Sequence, residues 1–154
     1  MIKINVILNN ISWKKYLKYP NSFIDKKIEI LNKKNKLYQK KILICSLLLS
    51  DSKEIKKLNK KFRKKNKSTD VLSFPFYEKK KLNKKIKNEK EVYLGDIIIN
   101  LNQVKNKNDK TKFNEGFNKL WIHGLLHLLG YDHKSNTKYL QMRKLENKLS
   151  NLIK

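Results

Sequence analysis

The sequence predicts an α+β fold: one small domain over residues 1–154, built as a mixed β-sheet packed by helices. Three observations predict it. The length suits one domain rather than two. Apolar runs of strand length alternate with stretches of helical spacing, without a repeated βαβ rhythm. The most apolar helical stretch, ending near Gly130, lies late in the chain and carries histidines, so a central histidine-bearing helix is expected.

Taken in order, Ile2 to Leu8 alternates polar and apolar residues and reads as a strand. Asn21 to Lys36 places Phe23, Ile24, Ile28, Ile30 and Leu31 at helical spacing, with Asn21 or Ser22 as cap. Lys41 to Leu49 is almost wholly apolar after Lys41, as a strand central in a sheet is. Asp51-Ser52-Lys53-Glu54 has the form of a capping box, and a helix should follow through Ile55, Leu58 and Phe62. Val71 to Phe76 is a short strand stopped by Pro75. Lys79 to Lys90 is nearly all Lys and Asn and reads as a mobile, solvated loop. Tyr93 to Asn100 is another strand, and Leu101 to Lys107 a short helix. Thr111 or Asn114 opens the central helix through Phe113, Phe117, Leu120, Trp121, Leu125 and Leu128, and Gly130 stops it. A last helix runs from Asn136 to Leu152, with Tyr139, Leu140, Met142, Leu145 and Leu149 on one face.

Composition narrows the function. No apolar stretch reaches the roughly 20 residues that span a bilayer, so no membrane role is expected. The N-terminus lacks the pattern of a signal peptide. Cys45 is the only cysteine, which excludes an intrachain disulfide and fits the cytoplasm. With 38 basic and 13 acidic residues the formal net charge is +25, and a polyanion is the natural partner. The crowding of Lys, Asn and Ile is also what coding drift toward A and T produces. The sign of the charge therefore says more than its size.

The chemistry concentrates in one stretch. All three histidines, His123, His127 and His133, fall within eleven residues, spaced His-x3-His-x5-His. The first two share a helical face, and the third returns after the glycine that ends the helix. This builds a three-nitrogen metal site with a fourth position open. Zinc, one ion per chain, is the metal expected from all-nitrogen ligands, and nickel and copper stay open on residue type alone. With Gly130 the spacing is that of the metzincin metalloproteases. Those enzymes carry a Glu general base directly after the first histidine, where this chain has Gly124. Close approach of a substrate or packing against the sheet would each explain that glycine.

Arg63 stands amid Lys60, Lys61, Lys64, Lys65 and Lys67. It reads either as a phosphate clasp, through two parallel hydrogen bonds that lysine cannot make, or as a solvated helix-end arginine. Asp132 either holds an imidazole N–H or completes the turn with Gly130 and Tyr131. Asp70 and Asp96 sit in or beside strands, and Thr69 and Ser73 have turn and strand duties as their commoner roles. Trp121 and Cys45 read as core.

These residues also carry a resemblance. His123-Gly124-x-Leu126-His127-Leu128-x-Gly130-Tyr131-Asp132-His133 resembles the signature of the bacterial YbeY proteins, zinc-dependent endoribonucleases of rRNA maturation. Leu58-Asn59-x3-Arg63 followed by Thr69-Asp70-Val71-Leu72-Ser73-Phe74-Pro75 is similar to the family's second segment, and Leu94-Gly95-Asp96-Ile97 to a third. Ser68 departs from the family's usual proline. The resemblance implies zinc on His123, His127 and His133, and a catalytic Arg63 near the metal. Arg63, Lys64 and Lys65 are the candidate RNA-binding residues. It further implies a single-strand-specific endoribonuclease that matures the 3′ end of small-subunit rRNA and serves ribosome quality control. The partners would be rRNA and the small ribosomal subunit, with no DNA expected. Two alternatives stand beside it. One is a metallopeptidase with its base from Asp132 or another carboxylate. The other is a non-catalytic rRNA or ribosome assembly factor whose metal is structural.

Overall fold

Four strands form one sheet in the order β1-β2-β4-β3: β1 (Ile2–Leu8), β2 (Ile42–Ser50), β3 (Val71–Pro75) and β4 (Glu91–Asn100). The computed structural model describes residues 1–34 and 40–154. β1 and β4 flank β2 in parallel, and β3 runs antiparallel on the outer edge of β4. The sheet is thus mixed, and the apolar β2 is interior, as its composition predicts. Among the described residues five α-helices surround it: α1 (Pro20–Lys34), α2 (Ser52–Arg63), α3 (Lys79–Asn88), α4 (Lys110–Leu128) and α5 (Asn136–Leu152).

One face of the sheet carries most of the core. Leu43, Cys45, Leu47 and Leu49 of β2 are fully buried there with Trp13, Ile24, Phe117, Trp121 and Leu125. The other face holds a smaller cluster, where Ile55 and Leu58 of α2 pack with Leu48, Leu72 and Ile98. β4 serves the larger core along its whole length because of a bulge. Its register against β2 shifts between Tyr93 and Gly95, and Gly95 takes φ +128°. One extra residue flips the alternation of a strand. Val92 and Leu94 before the bulge, and Ile97 and Ile99 after it, therefore all reach the larger core. A Cβ on Gly95 would stand 2.1 Å from the Phe74 carbonyl oxygen, so only glycine fits.

Several boundaries differ from expectation. Lys79 to Lys90 is not a loop: α3 occupies most of it. Lysine is a good helix former, and Leu82 with Ile86, four residues on, gives the segment one stripe to dock. Leu82 is fully buried, and Lys85 pairs with Glu89 across one turn. Helix α1 begins at Pro20, favoured at a first helical position, so Asn21 and Ser22 lie inside it; positions 35 and 36 of the expected helix lie outside the described residues. Leu101 to Lys107 holds only a 3₁₀ turn, Leu101–Gln103. Asp109, not Thr111 or Asn114, caps α4 by accepting from the Lys112 N–H at 3.0 Å. Asp51 caps α2 as read, accepting from the Glu54 N–H at 3.0 Å. On α5, Met142, Leu145 and Leu149 face the core while Tyr139 and Leu140 stay exposed. No helix is long and apolar enough to cross a membrane, among the described residues.

Candidate metal centre

The position of α4 is set by Gly124. A Cβ there would lie 2.6 Å from Ile97 Cγ2, so the glycine lets the helix settle onto β4. Of the two explanations open from sequence, packing against the sheet is the one observed. The helix then ends in a Schellman motif. The Gly130 N–H donates to the His127 carbonyl at 2.9 Å and the Tyr131 N–H to the Leu126 carbonyl at 3.0 Å, with Gly130 at φ +85°. This reversal brings the chain back over the last turn.

The result is a cluster. One ring nitrogen from each of His123, His127 and His133 lies within 4.8 Å of the others. His127 Nε2 and His123 Nε2 are 3.0 Å apart. Each helical imidazole is held from behind. His127 Nδ1 faces the Tyr131 carbonyl at 3.0 Å, and His123 Nδ1 bonds a carboxylate oxygen of Glu146 on α5. Carbonyls and carboxylates only accept, so both Nδ1 atoms carry the proton and both Nε2 atoms turn a lone pair inward. Two lone pairs this close repel unless a cation lies between them. The donor set, three clustered imidazoles of which two are held with Nε2 inward, therefore fits a borderline metal ion.

The electrostatics act the same way. Burial, first, and then the neighbouring His123 pull His127 down to about 4, with His133 and Arg63 adding to the fall against the supporting Tyr131 carbonyl. His127 is thus a neutral donor at ordinary pH. Arg63 is the least of these influences on His127. It is exposed at the end of α2, donates to the Ser73 carbonyl at 2.9 Å and lies 5.7 Å over the Phe74 ring. Lys64 and Lys65 follow it in an exposed loop, Lys64 in the left-handed region at φ 58°.

That loop is anchored by two buried asparagines. Asn59 donates to the Lys67 carbonyl at 2.8 Å, and Asn100 donates to Ser68 Oγ at 2.9 Å and the Thr69 carbonyl at 3.1 Å. Ser68 is therefore a hydrogen-bond partner here. Asp132 is not an imidazole support. It accepts from the Lys134 N–H and from Lys138 Nζ, which together hold its carboxyl below the usual range. Asp70 accepts from Thr69 and Val71, and Asp96 from the Tyr93 hydroxyl; both serve local turns and strands. Ser73 is buried, and Trp121 is core.

Sequence reading missed Glu146. Its one signal is that it is the sole acid on an otherwise basic last helix, one turn beyond the buried Met142.

Residues 8–154 match the family model described as Endoribonuclease YbeY. The chain belongs to the Endoribonuclease YbeY family. It is 44% identical over 157 aligned positions to the Endoribonuclease YbeY of Pelagibacter ubique, covering all of this chain and 97% of that protein. A 65-residue stretch is 46% identical to the YbeY of Thermodesulfovibrio yellowstonii, 40% of this chain and 41% of that one. Among solved structures, a solution structure of a Thermotoga maritima protein superimposes with TM-score 0.60 at 27% identity, covering 98% of this chain and 89% of its own. The three YbeY-like blocks now have places. The first is the last turns of α4 with its Schellman motif, the second the end of α2 with β3, and the third the β4 bulge.

Proposed function

We propose that this protein is a metal-dependent endoribonuclease, cutting single-stranded RNA in the maturation of the small-subunit rRNA 3′ end. The observation that carries this reading is the pair of inward Nε2 atoms on His123 and His127, fixed by Glu146 and Tyr131, with His133 closing the cluster. His123, His127 and His133 hold the metal, for which zinc is our assignment, one per chain. A metal in this position stabilises negative charge and activates water at neutral pH. The family membership supports phosphodiester chemistry over the alternatives. The peptidase reading loses the one base named for it, since Asp132 is committed to Lys134 and Lys138. A purely structural metal is disfavoured by three protein ligands among the described residues, where closed sites have four.

Arg63 spends one guanidinium N–H on Ser73, and its remaining donors serve the scissile phosphate and the charge that grows on it. Lys64 and Lys65, beside it, hold neighbouring phosphates without reading sequence. Glu146 and the Tyr131 carbonyl keep two imidazoles in one tautomer. In the cell we place this activity in the cytoplasm, with rRNA and the small ribosomal subunit as partners and no role for DNA.

The test is cleavage of a labelled single-stranded RNA by the wild type and His127→Ala, purified side by side, each with and without a chelator. Activity lost in the mutant and on chelation is the expected result. Equal activity in both preparations assigns the cleavage to a contaminant and rejects the reading. Extended precursor 3′ ends on small-subunit rRNA in cells carrying only His127→Ala would tie the activity to maturation.

A further inference from the structure

The end of α4 opposite the histidines borders a separate feature. A cleft of about 840 Å³ opens between the 3₁₀ turn Ile11–Lys15, with the start of α1, and the segment leading into α4. Lys14, Lys15, Lys18 and Lys26 line one side, and Lys107 and Lys110 the other. Among the described residues, no acidic one lines it. Asp109, the acid between those two lysines, is committed as the cap of α4 and pairs with Lys112 at 3.5 Å.

Positive charge alone would say little on a chain of net charge +25. The cleft adds two things that scattered lysines lack. Its walls are aromatic: Tyr16 stacks on Phe113 with ring centroids 4.9 Å apart and planes at 24°. Tyr19 is 66% exposed at the rim, with the Lys18 ammonium 5.4 Å from its ring. Asn108, exposed, and Asn114 add polar side chains to the lining. A free phosphate has no use for flat rings, and an acidic peptide offers few. A single nucleic-acid strand brings phosphates for the lysines and bases for the aromatics.

We propose that this cleft is a second binding site for single-stranded RNA, gripping the substrate away from the histidines. As a grip on substrate, it rests on the nuclease reading above. Phe113 and His123 are ten residues apart on α4, a rise of about 15 Å. A strand engaging both must therefore lie along the protein for several nucleotides.

The experiment measures binding of a fluorescent single-stranded RNA to the full chain carrying His127→Ala, so that the RNA stays intact. Into it go Lys14→Ser, Lys18→Ser, Lys26→Ser and Lys110→Ser together. A control of equal charge carries Lys3→Ser, Lys33→Ser, Lys87→Ser and Lys90→Ser. All eight lysines are exposed, so folding is little disturbed. The cleft variant should bind about tenfold more weakly than the control, with its salt slope smaller by about 2 to 3. Tyr19→Ala should weaken binding about fivefold without changing that slope. Equal losses in the cleft variant and the control overturn the proposal. Displacement of the RNA by poly-glutamate at equal charge as effectively as by unlabelled RNA overturns it too, and assigns the cleft to an acidic polypeptide. The nuclease reading fails separately, in the cleavage assay: RNA bound at the cleft but left uncut by the wild type would sink that reading and spare this one.

Discussion

Gly124 meets Ile97 where no side chain fits: a carbon added to the glycine would stand 2.6 Å from Ile97 Cγ2. Both residues are buried, and the contact sets the distance between the histidine helix and the sheet. Gly124→Ala should therefore destabilise the protein by about 1–3 kcal/mol through overpacking, although alanine is the better helix former. Urea unfolding measures this. The cost should shrink when Ile97→Ala is present, and a full cost in that background would locate the strain elsewhere.

Glu146 supports His123 from a different helix. Removing such a partner typically weakens metal affinity by about 10- to 100-fold. Glu146→Ala should show that loss in a chelator competition at neutral pH, and Glu146→Gln a smaller one. Unchanged affinity in both would mean that the carboxylate does not orient the ligand.

Arg63→Lys keeps the charge and loses the planar fork. Cleavage should fall on the order of 10²-fold, with metal content unchanged, as when one preorganised donor to a developing charge is lost. A variant as active as the wild type would return Arg63 to the role of a solvated helix end.

His127 makes the metal-free protein acid-sensitive. Its folded value, about 4, lies below the ordinary 6.5 of the unfolded chain. Between these values the unfolded state binds the proton and the folded state does not, so stability falls as pH drops through that window. Above it His127 is neutral in both states, and the penalty vanishes. Urea midpoints of chelator-treated protein at pH 7.5 and pH 5 should differ more for the wild type than for His127→Asn. A flat wild-type profile would show that the imidazole titrates freely.

What the sequence made legible was what local chemistry decides. The apolar run of β2, interrupted by Ser46 alone before Ser50, the Asp51 cap and the Gly130 reversal each follow from residues close together in the chain. The histidine cluster follows from them, since a helical face and a helix-ending turn are local too. What escaped was set by tertiary contact. Helix α3 was hidden because two apolar residues, Leu82 and Ile86, suffice once a core exists to receive them, while composition counts only the lysines around them. Glu146 was hidden because its partner lies 23 residues away on another helix. The tethering of the Arg63 loop by Asn100 was hidden likewise, across 32 residues to Ser68.

The strand order has a consequence in time. Ile2 pairs with Leu43, and Ile42 with Glu91, so each parallel ladder joins distant parts of the chain. Non-local pairing of this kind is slow to form. Only the finished sheet offers Phe117, Trp121 and Leu125 a place to be buried, and Glu146 follows later still in the order of synthesis. A nascent chain therefore has lysines enough to cling to RNA well before it has assembled the centre proposed to cut it.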